Sequence, residues 1–452
     1  MAANEKQNQN EKTPSSKGTS ISVVSDIRPD GTILETVYDK GSCTTRLCVY
    51  QNDHAKFQHS YSAEGVRYVP YAPTNNLIRH NVLLLPSKLE EYESEQALIN
   101  EIRAFVHRYV DLTPDFEAIA SYYVLMSWVY DCFNELPYLR FRGDYGSGKT
   151  RALLVIGSIC FKPLFAGGAS TVSPIFRMLD SIRGTLVIDE GDFRFSDEKA
   201  EIVKILNNGN ARGFPVLRSE VSKNGEYTPH AFIVFGPKLV ATRRQFQDRA
   251  LESRCITEEM GNRPLRDDIP LTLPDTFHSE TLTLRNKLLQ FRLRNRLRIT
   301  GSGQIDDVSL DPRLRQVFAP LVCLIQDKNL RACVLEIVRS YHNKAVVERG
   351  MSAEVRVLET ILRLQKQEGR RLGIDEIRSS FIEQYGSDYR HSVSHRWIGT
   401  VVRNQLHLRT QKSNGTFVIP QSEESTIAFL ARKHGLVDRS DSQRGDETSR
   451  AS

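Results

Sequence analysis

A chain of 452 residues is too long for one ordinary domain and implies two to four. Hydrophobic residues at 40% and charged residues at 26% exclude a disordered or fibrous chain, while the net charge of +6 permits a polyanionic partner without requiring one. The seven cysteines make no CxxC pair or Cys/His cluster and are odd in number, which speaks against a zinc site, a redox dithiol and a disulfide framework; with no apolar run near the ~20 residues of a membrane span and no signal-peptide core, the expectation is no membrane and a cytoplasmic location.

Residues 1–20 are rich in Asn, Gln, Lys and Ser, bury almost nothing and read as a disordered tail. From 21 to 90, β-favouring runs such as Thr32–Tyr38 and Arg46–Tyr50 alternate with Gly, Asp and Asn turns, the pattern of a small β-rich domain. Over 91–136 two helical patterns follow, Ser94–Val110 with Ser94 as a cap and Thr113–Phe133 opening on Thr-Pro-Asp. Tyr138–Arg142 then reads as a strand, Gly143–Thr150 as a glycine-rich turn, and Lys149–Cys160 as a helix.

The segment Gly143-Asp144-Tyr145-Gly146-Ser147-Gly148-Lys149-Thr150 has the spacing GxxxxGK[ST]. Its glycines let backbone N–H groups wrap a polyphosphate, the helix N-terminus adds its dipole, Lys149 is placed for the β- and γ-phosphates, and the Thr150 hydroxyl for a magnesium ion. ATP and Mg2+ are the cofactors this implies. About forty residues later Thr185-Leu-Val-Ile-Asp189-Glu190 is an apolar strand ending in two carboxylates. Asp189 is expected to hold the metal through water and Glu190 to orient and deprotonate an attacking water.

Asp197 to Asn208 reads as a helix, with Asn207 and Asn208 either ending it or relaying nucleotide state. Lys238–Arg244 is a further strand with a polar end, placing Thr242 to sense a γ-phosphate. Beyond it stands Ala250-Leu-Glu-Ser-Arg254-Cys255, in which Arg254, and less directly Arg249, is a candidate arginine finger; a salt-bridged or solvated arginine reads the same way.

In that order the two nucleotide motifs (Walker A and Walker B), the polar strand end and the Ser-Arg-Cys triplet resemble the AAA+ superfamily, the triplet being similar to the finger motif of clamp loaders. The spacing, with Ile205–Gly209 and Gly213–Arg218, is closer to the ATPase modules of phage and plasmid primase–helicases. The likeness spans about Pro137 to Met260. It implies an α/β P-loop NTPase core, a parallel sheet flanked by helices over 137–262, and a homo-oligomer, the hexameric ring being one form, acting on DNA. This chain departs from the family's pattern in having no clear primase motif upstream and no unmistakable sensor-2 arginine downstream.

The region 263–350 is expected to be helical and lid-like. Within it Leu282–Ile299 carries Arg285, Lys287, Arg292, Arg294, Arg296 and Arg298 with no acidic residue, which suits nucleic-acid contact or a solvated or lid surface. Three helical patterns and a hairpin with an Asn414-Gly415 turn fill 351–420, a winged-helix pattern, before a helix and a disordered tail over 421–452. Ile398, Val401 and Val402 share one face of the third helix while Arg396, Thr400 and Arg403 lie opposite; with Arg409 and Lys412 on the hairpin these are the candidate DNA contacts, and a plain protein-contact module is the other reading. The segment holds eleven Lys and Arg against seven Asp and Glu.

Three functions are in play: an ATP-driven, helicase-like DNA motor or remodeller of mobile-element or phage replication, an ATP-dependent switch or loader that assembles on DNA without unwinding it, and a kinase-like transferase. The last is weakened because no acceptor site is legible.

Overall fold

The computed structural model describes residues 19–436 except 168–170, 190–196, 222–226, 247, 300–304, 308–309, 327, 330, 333, 337, 341–352, 367–371, 386–392 and 414. The chain divides into two compact units, one running to Leu335 and the other starting at Glu336.

The first unit opens with seven short strands: β1 (Thr19–Val23), β2 (Ser25–Ile27), β3 (Ile33–Asp39), β4 (Thr44–Gln51), β5 (His54–Gln58), β6 (Tyr61–Ala63) and β7 (Val66–Pro70). They form an antiparallel sheet in the order β2-β3-β4-β5 and a three-stranded sheet in the order β1-β7-β6. Leu34, Leu47, Val49 and Tyr68 pack together between them, and β3 is buried over Ile33–Val37 on both faces.

Helices α1 (Asn76–Arg79), α2 (Glu95–Tyr109) and α3 (Pro114–Trp128) follow. Ser94 caps α2, its hydroxyl accepting from Ala97 N. Pro114 stands in the first turn of α3, but the Thr113 hydroxyl donates to Glu258 instead of capping the helix. Thirteen of the fifteen residues of α3 are buried, so it is a core helix and not an amphipathic one.

The centre is a five-stranded parallel sheet flanked by helices. In chain order its members are β8 (Tyr138–Arg142), α4 (Lys149–Gly157), β9 (Leu164–Ala166), α5 (Val172–Ile182), β10 (Leu186–Ile188) and α6 (Asp197–Asn208). A hairpin of β11 (Val216–Val221) and β12 (Tyr227–Phe232) precedes β13 (Lys238–Thr242), α7 (Arg249–Glu252) and β14 (Cys255–Glu259). The strand order is β14-β8-β13-β10-β9, all parallel. Short runs buried on both faces are what a parallel sheet covered by helices requires, and in such sheets ligands sit outside the carboxyl ends of the strands. Register sets Thr242 level with Arg142, and Ile188 level with Val240 and Ala166, so the ends of β8, β13 and β10 open on one edge.

The helix α8 (Phe277–Asn295) corrects the expectation for the basic stripe. Arg285 is buried and donates to Ser158 O at 2.7 Å. Lys287 pairs with Glu101 at 2.7 Å, Arg294 with Glu91 at 2.7 Å, and Arg296 with Asp131 at 2.9 Å. Arg292, fully buried, bridges Glu35 at 2.7 Å and Asp131 at 2.9 Å. Burial opposes the charge on Asp131, yet Arg292 and then Arg296 hold its carboxyl down to about 2. Glu35 also receives Lys162 Nζ at 2.5 Å, tying the antiparallel sheet of β3 to the parallel one. From Arg285 to Arg296 the stripe is therefore an internal clamp, its carboxylates coming from distant parts of the chain, while Arg298 is exposed. The helix α9 (Pro312–Val322), capped by Asp311, packs against α3.

Lys238, another buried cation, has no carboxylate partner among the described residues. Lys238 Nζ donates to Gly209 O at 3.1 Å and to Val234 O and Gly236 O at 2.9 Å each, and lies 5.0 Å from the centre of the Tyr138 ring. Burial lowers its ammonium to about 7. An unfolded lysine keeps its proton to roughly pH 10.4. Between these values the unfolded state binds more protons, so stability rises with pH. Lys238→Met is expected to remove that rise: its stability relative to the parent improves steadily as pH falls from about 10 to about 7, read by urea unfolding at several pH values.

In the second unit α10 (Ala353–Gln365), α11 (Ile374–Tyr385), α12 (His395–Thr400) and a π turn at Val401–Gln405 pack around Leu358, Ile361, Ile377, Phe381 and Ile398. A hairpin of β15 (Gln411–Ser413) and β16 (Thr416–Val418) follows, bridged to Gly373 through Val418, and α13 (Glu424–Lys433) closes the unit.

Candidate functional site

The site starts where β8 stops. Arg140 and Arg142, which would be costly in a sheet if unpaired, are matched by Glu252 and Glu259. The chain then turns at Gly143, where a Cβ would lie 2.3 Å from Met260 O, so no other residue fits the close approach. Gly148 has φ +89°, the left-handed conformation that starts α4. The first N–H groups of that helix have no partner within it.

Lys149 Nζ donates to Gly143 O at 2.7 Å, Asp144 O at 2.5 Å and Ser147 Oγ at 3.2 Å, which holds the ammonium over the hollow of the loop. Thr150 Oγ1 donates to Asp189 Oδ2 at 2.7 Å, joining the start of α4 to the end of β10. Between them, at the end of β13, Thr242 is buried, and its hydroxyl has no hydrogen-bond partner among the described residues. Tyr145, Gly146, Ser147, Gly148, Lys149, Thr150, Asp189 and Thr242 line one cavity of about 370 Å³. Its donor set suits a polyphosphate and a hard divalent cation: backbone N–H groups and an ammonium for the first, a hydroxyl and a carboxylate for the second. The orphaned Thr242 hydroxyl adds a further group of matching chemistry. No cluster of three or more His, Cys, Asp or Glu side chains occurs among the described residues, so a cation here would depend on Thr150 and Asp189 with other oxygens.

Glu190 lies outside the described residues. Arg254 is elsewhere: its carbonyl accepts from Tyr138 N at 2.9 Å, at the start of β8, while the glycine-rich loop leaves the far end of that strand. Four residue steps of about 3.3 Å separate the two ends by about 13 Å. Arg254 is thus not gathered into the cavity of its own chain. It is half-buried and donates to Asn207 Oδ1, and Asn207 donates to Asp248 Oδ2 at 2.6 Å. Burial, and then the charge of Arg313, lowers its affinity for its proton below the ordinary arginine value. Asn208 ends α6, and Asn207 serves as the bracket for Arg254. The side chain of Arg249 lies outside the described ones.

Two contributors escaped the sequence reading. Arg243, next after Thr242, also lines the cavity. The Met260–Gly261 turn supports the loop from below: a Cβ at Gly261 would approach Ser147 Cβ to 2.8 Å. Arg243 was visible as one of two arginines behind a polar strand end; the Met260–Gly261 contact has no local signal, because it arises only when β14 pairs with β8.

In the second unit Arg396, Thr400, Arg403, Arg409 and Lys412 are all exposed, and Ile398, Val401 and Val402 are buried beneath them. The Arg403 guanidinium lies 5.8 Å from the centre of the Phe417 ring on the hairpin, and Thr400 donates to Arg396 O. The third helix passes into the π turn after Thr400 and so runs on to Gln405. Asn414 lies outside the described residues; Ser413 pairs with Thr416 around it.

No family model matches the chain, and no curated protein matches it in sequence. Among solved structures it is similar to the C-terminal region of NrS-1, at 12% identity and TM-score 0.33 over 85% of this chain and 96% of that one. It is similar to the SCCmec type IV Cch active helicase at 11% identity and TM-score 0.46 over 90% and 80%. The Aeropyrum pernix ORC1 protein, solved in complex with DNA, aligns at 13% identity and TM-score 0.21 over 72% and 94%.

Proposed function

We propose that the chain is an ATP-hydrolysing, helicase-like DNA motor working as a homo-oligomer, the hexameric ring being one form. The observation that carries this reading is the meeting of Lys149, Thr150, Asp189 and the unpartnered Thr242 hydroxyl in one cavity beneath a glycine-rich loop. A magnesium ion bound with ATP would supply positive charge that stabilises the transferring phosphate. Thr150 and Asp189 would hold that ion, the loop amides from Gly143 to Gly148 would cradle the phosphates, and Lys149 would neutralise charge at their end. Glu190, next after Asp189, orients and deprotonates the attacking water. Thr242 reads whether the terminal phosphate is in place, and Arg254 serves a neighbouring subunit. The second unit, as a winged-helix module, holds DNA through Arg396, Thr400, Arg403, Arg409 and Lys412.

The deciding experiment measures ATP turnover with single- and double-stranded DNA, paired with the mass of the nucleotide-bound assembly. DNA-stimulated turnover in an oligomer and separation of a labelled duplex support the motor. Turnover indifferent to either DNA overturns it, and assembly on DNA without strand separation transfers the reading to a loader.

Thr242→Val tests the site from inside. A buried hydroxyl without a partner contributes nothing to stability, so an isosteric apolar replacement is expected to leave the unfolding temperature unchanged or slightly raised. A hydrogen bond to a charged group is worth about 1.5–3 kcal/mol, so kcat should fall roughly 10- to 100-fold if the hydroxyl engages the terminal phosphate or its water. Loss of stability with unchanged kcat would assign Thr242 to the core alone.

A further inference from the structure

At the opposite edge of the parallel sheet, outside the amino ends of its strands, lies a cavity of about 640 Å³, larger than the one under the glycine-rich loop. Seven separate segments of the first unit build it. Phe161 and Phe235 form aromatic walls, Tyr130 lies beside them, and Phe214, 64% exposed, stands at the rim. Four arginines line it, and they differ in what balances them. Arg292 and Arg296 are committed to Asp131, each at 2.9 Å. The other carboxylate in the lining, Asp26, has Arg28 at 3.8 Å.

Arg212 and Arg183, both exposed, have no such counter-charge among the described residues. The Arg212 guanidinium donates only to backbone carbonyls, Phe133 O at 2.8 Å and Asp131 O, and lies over the Phe235 ring at 5.0 Å. Carbonyls orient a guanidinium without neutralising it. Arg183 makes no side-chain hydrogen bond or ion pair among the described residues, although its carbonyl accepts from Tyr130 Oη at 2.7 Å. It stands just past α5 at φ +53°, a conformation that glycine adopts far more easily. Asp131 and, with the opposite sign, Arg292, Arg183 and Arg212 all act electrostatically on the Tyr130 hydroxyl, so these charges face one region.

We infer that this cavity is a second ligand site, distinct from the nucleotide site, for an organic anion: a phosphate or carboxylate carried on a flat aromatic or apolar body. Arg183 and Arg212 take the anion, for which planar guanidiniums offer paired donors. Phe161, Phe235 and Phe214 take the body, since aromatic faces supply most of the contact area of such sites. The volume falls in the range of small-molecule pockets, roughly 300–1,000 Å³.

Trp128 supplies a reporter, because its ring meets Phe161 edge-on at 5.2 Å. The chain has two tryptophans, and Trp397→Phe in the second unit leaves Trp128 alone. Phenyl phosphate, phenylacetate and benzyl alcohol are titrated into this full-length variant while Trp128 fluorescence is recorded. A saturable change is expected with at least one of the two anions and none with benzyl alcohol. Response to phenyl phosphate alone identifies a phosphomonoester ligand, and response to both identifies an organic anion more generally. The change should persist in Lys149→Ala, which disables the other cavity, and weaken at least 10-fold in Arg183→Gly. That variant removes a charge with no intramolecular partner and relieves the left-handed backbone, so it is expected to fold. No saturable change with either anion, equal response to benzyl alcohol, unchanged affinity in Arg183→Gly, or loss of the change in Lys149→Ala would each overturn the assignment.

Discussion

Lys149→Ala is expected to lower kcat/KM for ATP by about 100- to 1000-fold, the loss typical when one preorganised donor to a developing charge is removed. The unfolding temperature of the protein without nucleotide should stay where it is. The Lys149 ammonium bonds to Gly143 O, Asp144 O and Ser147 Oγ, and none of these groups is deeply buried. Water can therefore replace the lysine, and an exposed contact of this kind contributes little. The two states separate once ATP and magnesium are added. A ligand at 100 times its Kd stabilises the folded state by about 2.7 kcal/mol. The parent chain should show the corresponding rise in unfolding temperature, and Lys149→Ala should show little or none at the same concentration. Equal turnover in the two proteins would remove the glycine-rich loop from the chemistry.

The parts of this site legible in the sequence are those with local causes. Tyr138–Arg142 alternates Leu139 and Phe141 with Arg140 and Arg142 before a glycine, and β8 has those same bounds. Leu186–Ile188 is an apolar run followed by Asp189, and Lys238–Thr242 an apolar run ending in Thr242. The order of the strands is not local. Only pairing brings β13 between β8 and β10, and that pairing is what sets Thr242 between Thr150 and Asp189. The basic helix shows the same limit from the other side. Arg285 to Arg298 contains no acid, so its own sequence suggests a surface for a polyanion. The neutralising carboxylates Glu35, Glu91, Glu101 and Asp131 lie well over a hundred residues away. A local charge count sees a patch where the fold makes a clamp. Arg183 and Arg212 are the reverse case: neither stands in a basic run, yet folding leaves both without a carboxylate beside one cavity.

Mixing two inactive variants should restore activity if Arg254 works across a subunit boundary. Arg254→Ala alone is expected to lower kcat by roughly 10³- to 10⁵-fold, the range for a transition-state arginine supplied to a phosphoryl-transfer site. Its position at the start of β8, about 13 Å of strand from the glycine-rich loop, is incompatible with service to its own cavity without refolding the sheet. Service to a neighbour is compatible with it, and the Asn207–Asp248 bracket then has a purpose: it fixes a half-buried guanidinium in one direction before the subunits meet. Glu190→Gln keeps Arg254 and loses the base; Arg254→Ala keeps the base. Where an Arg254→Ala cavity faces a Glu190→Gln neighbour, every required group is present, and random mixing makes about one quarter of the interfaces of this kind in a closed ring. Turnover should therefore reappear at a substantial fraction of the parent rate. Asn207→Ala supplies the control, since it breaks the same hydrogen bond while leaving the guanidinium. If Arg254 only braces α6 against β14, Asn207→Ala will match Arg254→Ala in turnover and stability, and no mixture will recover. If Arg254 completes a neighbour's site, Asn207→Ala will retain far more activity than Arg254→Ala, and recovery will follow the proportion of mixed interfaces as the input ratio is varied.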